Sequence, residues 1–426
     1  MEKTCYKLRS LLTNEVFEDS GWLLDAPNQE SPSLIRSEYE KKNLQLKDES
    51  LGIYKFSDWL PICKTLSGSS APITYKSEGL AKELGLSNLY ITFSGYWPEK
   101  GIQMKTCSFK ETEAYTVCAR MNPHHEKVLV VASAGNTARA FAQVCSDNKI
   151  PLLLCVPEDN LNALWFDAPL NKCVKLISSR TGGDYYDAIH LSNIAAKMDA
   201  FYPEGGAKNV ARRDGMGTTT LSATTFIGRI PDYYFQAIGS GTGAIAAWEA
   251  NLRLIADGRF GSHKMKLMVS QNAPFSPIHD AWKANSRAML PYDDILARKH
   301  VEEIEAKVLS NRKPPYPIIG GLYDAMKDAG GDILLATNEE GRNAANLFKA
   351  IEGNDIHPAA AIAVATLINS AKNNEIEKNA VIMLNITGGG EERFKTDRDL
   401  FYLKPVLVFD INPDEVEVKK ALEGLF

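Results

Sequence analysis

From Lys127 onward the chain alternates short apolar runs with longer stretches whose apolar residues recur at helical spacing. KVLVVASAG reads as a strand and turn, NTARAFAQVCSDN as a helix, IPLLLCVP and CVKLISS as strands, and DYYDAIHLSNIAAKM as the next helix. Strands this apolar have no face left for water, so with helices between them they predict a parallel sheet covered on both sides. A second series follows, in which YYFQAIGSGTGAIAAWEANLRLIADG is strand, glycine loop and helix, and KLMVSQNAP is strand and turn. ILLATNEEGRNAANLFKAIEG and HPAAAIAVATLINSAKNNEI then lead into the strand of NAVIMLNITGGG. The fold class is therefore α/β with two parallel-sheet units, one ending near Pro231, and no internal repeat. Before residue 100 the pattern is less regular, with a helix from about Ser77 to Leu84 and a strand near Leu89. Residues 296–321 shift to charge and then proline, the composition of a surface connection.

A chain of 426 residues exceeds what one core usually fills, in keeping with two units. Its net charge of −5, with Lys and Arg scattered instead of gathered into a basic stripe, argues against nucleic acid as a partner. Seven cysteines form no C-x-x-C pair and mostly lie in apolar runs, as expected of buried thiols in a reducing compartment. The opening MEKTCYKLRSLL is polar and carries no secretion pattern, and the apolar run at 359–368 is too short to span a bilayer. A cytoplasmic protein without membrane is the expectation.

Candidate chemistry collects where strands end, the edge at which open parallel sheets bind ligands. Gly239, Ser240, Gly241, Thr242 and Gly243 lie between an apolar strand and an alanine-rich helix. Converging amides, two hydroxyls and a helix start make a phosphate cradle there, although such a loop also serves as a plain tight turn. Its spacing is not G-x-G-x-x-G, which ranks a dinucleotide lower. Ser133, Ala134, Gly135, Asn136 and Thr137 occupy a second strand-to-helix junction, where Asn136 is either a local cap or a group aimed at a ligand. Thr387 precedes three glycines, Gly388 to Gly390, after a third strand. Lys110 begins a helix, with Ser108 as its cap and Glu111 near its positive end; alone, such a lysine reads as surface decoration.

In order, S-F-K at 108–110, A-S-A-G-N-T-A at 132–138, N-V-A-R-R-D-G-M-G-T at 209–218 and I-T-G-G-G resemble the fold-type II pyridoxal-phosphate enzymes, most closely the threonine synthase family. The likeness runs from about residue 72 to 392. It implies a tryptophan synthase β-like architecture, two doubly wound open sheets with the active site in the cleft between them. Residues 109–231 would form the small unit with Lys110 at its start, and 232–426 the large one. Residues 1–108 would be an N-terminal extension and part of the large unit.

Carried over from that family, the cofactor is pyridoxal 5'-phosphate and Lys110 is its Schiff-base lysine. The same resemblance implies small-molecule substrates, no metal and a homo-oligomer. Asn136 would contact the 3-hydroxyl, Gly239 to Gly243 the phosphate, and Thr387 the pyridine nitrogen. A neutral hydroxyl at that nitrogen favours elimination and replacement at the β-carbon over transamination. Lys110 would remove the α-proton once its pKa falls in a desolvated pocket.

Departures from the family pattern concern charge. Lys105 replaces a proline, and Arg139 stands where a small residue is usual; Arg212 matches the family's phosphate-contacting arginine. Ser133, Lys105, Arg139 and Arg212 are the candidate substrate contacts, whereas Arg213 reads as a solvated helix face. Extra cation implies extra anion in the substrates, since guanidinium binds phosphate and sulfonate oxygens bidentately. The pattern, with YKLRSLLTNEVFEDSGWLL resembling a zinc-less threonine synthase start, is similar to that of the cysteate synthases of methanogenic archaea. That resemblance implies O-phospho-L-serine and sulfite as substrates, a step toward coenzyme M. Threonine synthesis from O-phosphohomoserine and water, cysteine synthesis from phosphoserine and sulfide, and a non-catalytic phosphate-ligand sensor stay open. Cys107, near Lys110, reads as a small packing residue.

Overall fold

The computed structural model describes residues 3–122, 126–133, 135–183, 185–312 and 314–426. Its larger sheet has six strands in the order Gly331–Ala336, Lys266–Asn272, Tyr233–Ala237, Val381–Ile386, Asn88–Phe93 and Ile73–Lys76. Neighbours run parallel except at the last pair, where Ile73–Lys76 is antiparallel to Asn88–Phe93. A second, wholly parallel sheet is ordered Phe201–Pro203, Val128–Ala132, Leu152–Pro157, Val174–Ser179 and Leu407–Phe409.

Every residue of Leu152–Pro157 and of Val381–Ile386 is buried, which is why these strands lack polar alternation. Pro358–Lys372 lies against the large sheet with an alanine-rich surface that lets the helix approach closely. Val210–Ile227 packs on both Lys110–Arg120 and Thr242–Asp257 and so joins the two units. Arg213 on that helix is fully buried, not solvated: its Nε meets Glu249 at 2.9 Å and its Nη atoms donate to the Ala207 and Ile35 carbonyls.

The tail does not stay with the large unit to which the sequence division gave residues 232–426. Leu407–Phe409 pairs with Val174–Ser179, and Glu415–Leu422 packs on Tyr185–Ala195, with Val418 and Leu422 beside Leu191 and Ile194. A three-residue strand carries no mark of which sheet it will join. At the other end, Val16–Phe17, Tyr6–Ser10 and Ile35–Tyr39 form a small antiparallel sheet. Tyr39, Leu44 and Trp59 bury themselves with Ile245 and Trp248 of the large unit. Among the described residues all seven cysteines are free, no metal-binding cluster occurs, and no helix is long and apolar enough to cross a membrane.

Candidate active site

Three strands of the two sheets deliver their following loops to one cavity of about 160 Å³. Val128–Ala132 leads to Ser133, Gly135 and Asn136; Tyr233–Ala237 leads to Gly239 through Gly243; Val381–Ile386 ends at Thr387. Lys110 and Arg212 complete this set on the cavity wall. Ala134, in the middle of the asparagine loop, lies outside the described residues. Helices Lys110–Arg120, Asn136–Asp147, Thr242–Asp257 and Pro358–Lys372 all begin at or beside the cavity, so their positive ends converge on it.

Lys110 is set by main chain. Ser108 pairs with Gly388 as an antiparallel bridge, and the Gly389 amide donates to the Cys107 carbonyl at 3.0 Å. Ser108 does not cap the helix; its hydroxyl is buried without a hydrogen-bond partner. Lys110 Nζ donates to Glu113 Oε2 at 3.1 Å, one helical turn on. Glu113 Oε1 lies 3.3 Å from Arg212 Nη2, and Arg212 Nε donates to Glu204 Oε1 at 2.8 Å. Two cations and two carboxylates thus alternate, and Glu113 is fully enclosed. Burial pulls Lys110 below the usual lysine range; Glu113 opposes this and Arg212 reinforces it. Burial also works against charge on Arg212, but Glu113 and Glu204 outweigh it and keep the guanidinium ionised. Burial pushes the Glu204 carboxyl up, with Arg212 opposing.

The glycine loop needs its glycines. Gly241 has φ 80, and a Cβ there would lie 2.6 Å from Leu322 Cδ2; one on Gly243 would lie 2.6 Å from Gln236 Nε2. Ser240 and Thr242 hydroxyls meet at 2.8 Å beside the first turn of Thr242–Asp257, whose amides have no acceptor within the helix. A bare backbone with free donors, two hydroxyls and a helix start suits a phosphate group, and an amine with depressed basicity across the cavity suits an aldehyde.

The model matching the chain over residues 74–388 is that of the pyridoxal-phosphate dependent enzymes. The chain belongs to this family. Cysteate synthase of Methanosarcina mazei is 48% identical over 390 residues, 91% of this chain and 94% of that protein. Cysteate synthase of Methanocella arvoryzae is 49% identical over 377 residues, covering 88% and 90%. Among solved structures, maize serine racemase superposes with a TM-score of 0.56 at 14% identity, over 75% of this chain and 88% of that one. Threonine deaminase isoform 2 of Solanum lycopersicum gives 0.52 at 16%, covering 76% and 87%. The last two show the fold.

In this pyridoxal-phosphate enzyme the cavity gathers Lys110, Ser133, Asn136, Arg212, Gly239 through Gly243 and Thr387, but neither Lys105 nor Arg139 lines it. Lys105 turns to Asp147, 3.2 Å away, with 41% of its side chain exposed. Arg139 is buried behind Asn136, to whose Oδ1 it donates at 3.0 Å. Several wall residues escaped the sequence reading. Glu113 stands three residues after Lys110, a spacing that places both on one helix face and could have found it. Tyr185, Gln236 and His357 gave no such signal. Burial pushes His357 down to about 4, so it is neutral near pH 7, and its Nδ1 accepts from the Ala359 amide at 3.2 Å. The segment read as a surface connection supplies Lys307, Val308, Leu309, Ser310 and Asn311 to the wall.

Proposed function

We propose that the chain is a cysteate synthase, a β-replacement enzyme that converts O-phospho-L-serine and sulfite to L-cysteate and phosphate. One observation carries it: Lys110 and Arg212 face the same cavity, joined through Glu113, in a chain nearly half identical to enzymes of that name. Pyridoxal phosphate, when bound, supplies the electron sink that makes an amino acid's α-proton acidic and lets its β-substituent leave.

The chain's residues do the rest. Lys110 would hold the cofactor's aldehyde and take up the α-proton of the bound amino acid; its burial-lowered basicity suits that task near neutral pH. The loop of Gly239 through Gly243 holds the cofactor phosphate, Asn136 addresses the ring hydroxyl, and Thr387 offers a neutral partner to the ring nitrogen. Arg212, Ser133 and the helix N-termini face the anions, first the departing phosphate and then the arriving sulfite. Lys105, paired with Asp147 and off the cavity wall, takes no part in this reading. Seven free, mostly buried thiols support a reducing, cytoplasmic setting; the homo-oligomer is checked by light scattering.

The test mixes the reconstituted protein with O-phospho-L-serine and sulfite. L-cysteate and phosphate appear in equal amounts on this proposal. Threonine from O-phosphohomoserine, or cysteine from phosphoserine and sulfide, with no cysteate formed, rejects it.

A further inference from the structure

Arg139 carries five donors and no acceptor, and the structure uses them inside the protein. Its Nη2 donates to the Thr106 carbonyl at 3.0 Å and to Asn136 Oδ1 at 3.0 Å, and its Nη1 donates to the Ala163 carbonyl at 2.8 Å. Nε donates to Thr106 as well, at 3.3 Å, while Glu391 stands 3.5 Å from Nη2. The guanidinium lies 4.0 Å from the Trp165 ring centroid, stacked and almost sealed from solvent at 2% exposure. A side chain so engaged has little left to offer a substrate.

The geometry points to Arg139 as a positioning residue that acts through Asn136, fixing which end of its amide enters the cavity. A guanidinium only donates, so the Asn136 oxygen must face it and the NH2 group must face the cavity. Asn136 is thereby presented as a donor, the polarity suited to an ionised ring hydroxyl. Arg139 also ties together the segments that carry the site. Thr106 precedes Lys110, Glu391 follows Thr387 by four residues, and Ala163 and Trp165 belong to the small unit. This rests on the proposed contact between Asn136 and the cofactor.

The test is a double-mutant cycle read as pyridoxal-phosphate affinity, by absorbance titration of the full-length apoprotein, with melting temperatures alongside. Arg139→Met keeps an apolar contact with Trp165 and removes every donor. It should weaken cofactor binding by about tenfold to a hundredfold, as loss of a charge-assisted hydrogen bond does. Asn136→Ala should weaken it at least as much, and the double variant no further, because one residue works through the other. Losses that multiply overturn the inference while leaving the cofactor contact of Asn136 standing. An Asn136→Ala variant that binds the cofactor like the parent removes that contact and the inference with it. Should Arg139→Met fail to fold, Asn136→Asp decides. It keeps the pairing with Arg139 and the melting temperature but presents no amide hydrogens, so it should bind as weakly as Asn136→Ala; parental affinity overturns the inference.

Discussion

The amide of Phe109 donates to the carbonyl of Thr387 at 2.9 Å, so the residue before Lys110 is bonded to the residue that follows Val381–Ile386, an inner strand of the large sheet. The glycines after Thr387 make that approach possible. A Cβ on Gly389 would lie 2.5 Å from the Asp355 carbonyl oxygen and 2.8 Å from the Phe93 ring, and one on Gly390 would collide with the Tyr96 carbonyl. Gly389 and Gly390 thus make room for the chain's own backbone. Gly389→Ala should cost about 1–3 kcal/mol by denaturant unfolding, as overpacking against fixed backbone does.

Glu113 sustains charge on Lys110 and Arg212 at once. In Glu113→Gln the lysine loses the contact that raises its basicity, while burial and Arg212 continue to lower it. More of the amine is then neutral at a given pH. The pH profile for the rate of pyridoxal-phosphate attachment should move to lower pH than in the parent; an unmoved profile means that Glu113 does not act on the amine.

Much of the fold could be read because buried parallel strands demand continuous apolar runs, and Leu152–Pro157 or Val381–Ile386 has no other use. The glycine loop was legible for a similar reason, since few other sequences leave a backbone bare. Pairings across distance were not. Arg213 reads as one more charge on a helix until Glu249, 36 residues on, closes over it. Arg139 looked like a substrate cation because neither Thr106 nor Trp165 is near it in sequence. Residues 307–311 lie within a charged, proline-bearing stretch that reads as surface, yet their main chain closes against the glycine loop: a Cβ on Gly239 would sit 3.0 Å from the Val308 carbonyl oxygen.

Glu111 is buried, and that burial pushes its carboxyl up to about 7 even though the Thr106 amide and hydroxyl both donate to it at 2.8 Å. A carboxyl that holds its proton more tightly when folded contributes stability fully below its ordinary value of 4.5 and loses it as pH rises through about 7. Glu111→Gln keeps the acceptor and removes the ionisation. Relative to the parent, this variant should gain about 1–3 kcal/mol between about pH 5 and about pH 8, followed by thermal unfolding.

Arg212→Gln leaves Glu113 and Glu204 facing each other without their shared cation. The cost should be about 3–5 kcal/mol, the usual result of breaking a buried ion pair. Because the Glu204 carboxyl is already raised by burial and Arg212 is what opposes that rise, the variant should be less impaired in mild acid than in mild base. In the same variant the KM for O-phospho-L-serine should rise more than kcat falls.

The central claim is that Lys110 holds the cofactor, and the cavity offers a rival in Lys307. The Lys307 amine is committed to the Val301 and Glu302 carbonyls, at 2.9 and 2.6 Å, whereas the Lys110 amine sits beside Glu113 with lowered basicity. Reduction of the reconstituted protein with borohydride, followed by peptide mapping, should place the phosphopyridoxyl label on Lys110 and leave Lys307 unmodified. A label on Lys307, or on no lysine, would contradict the account.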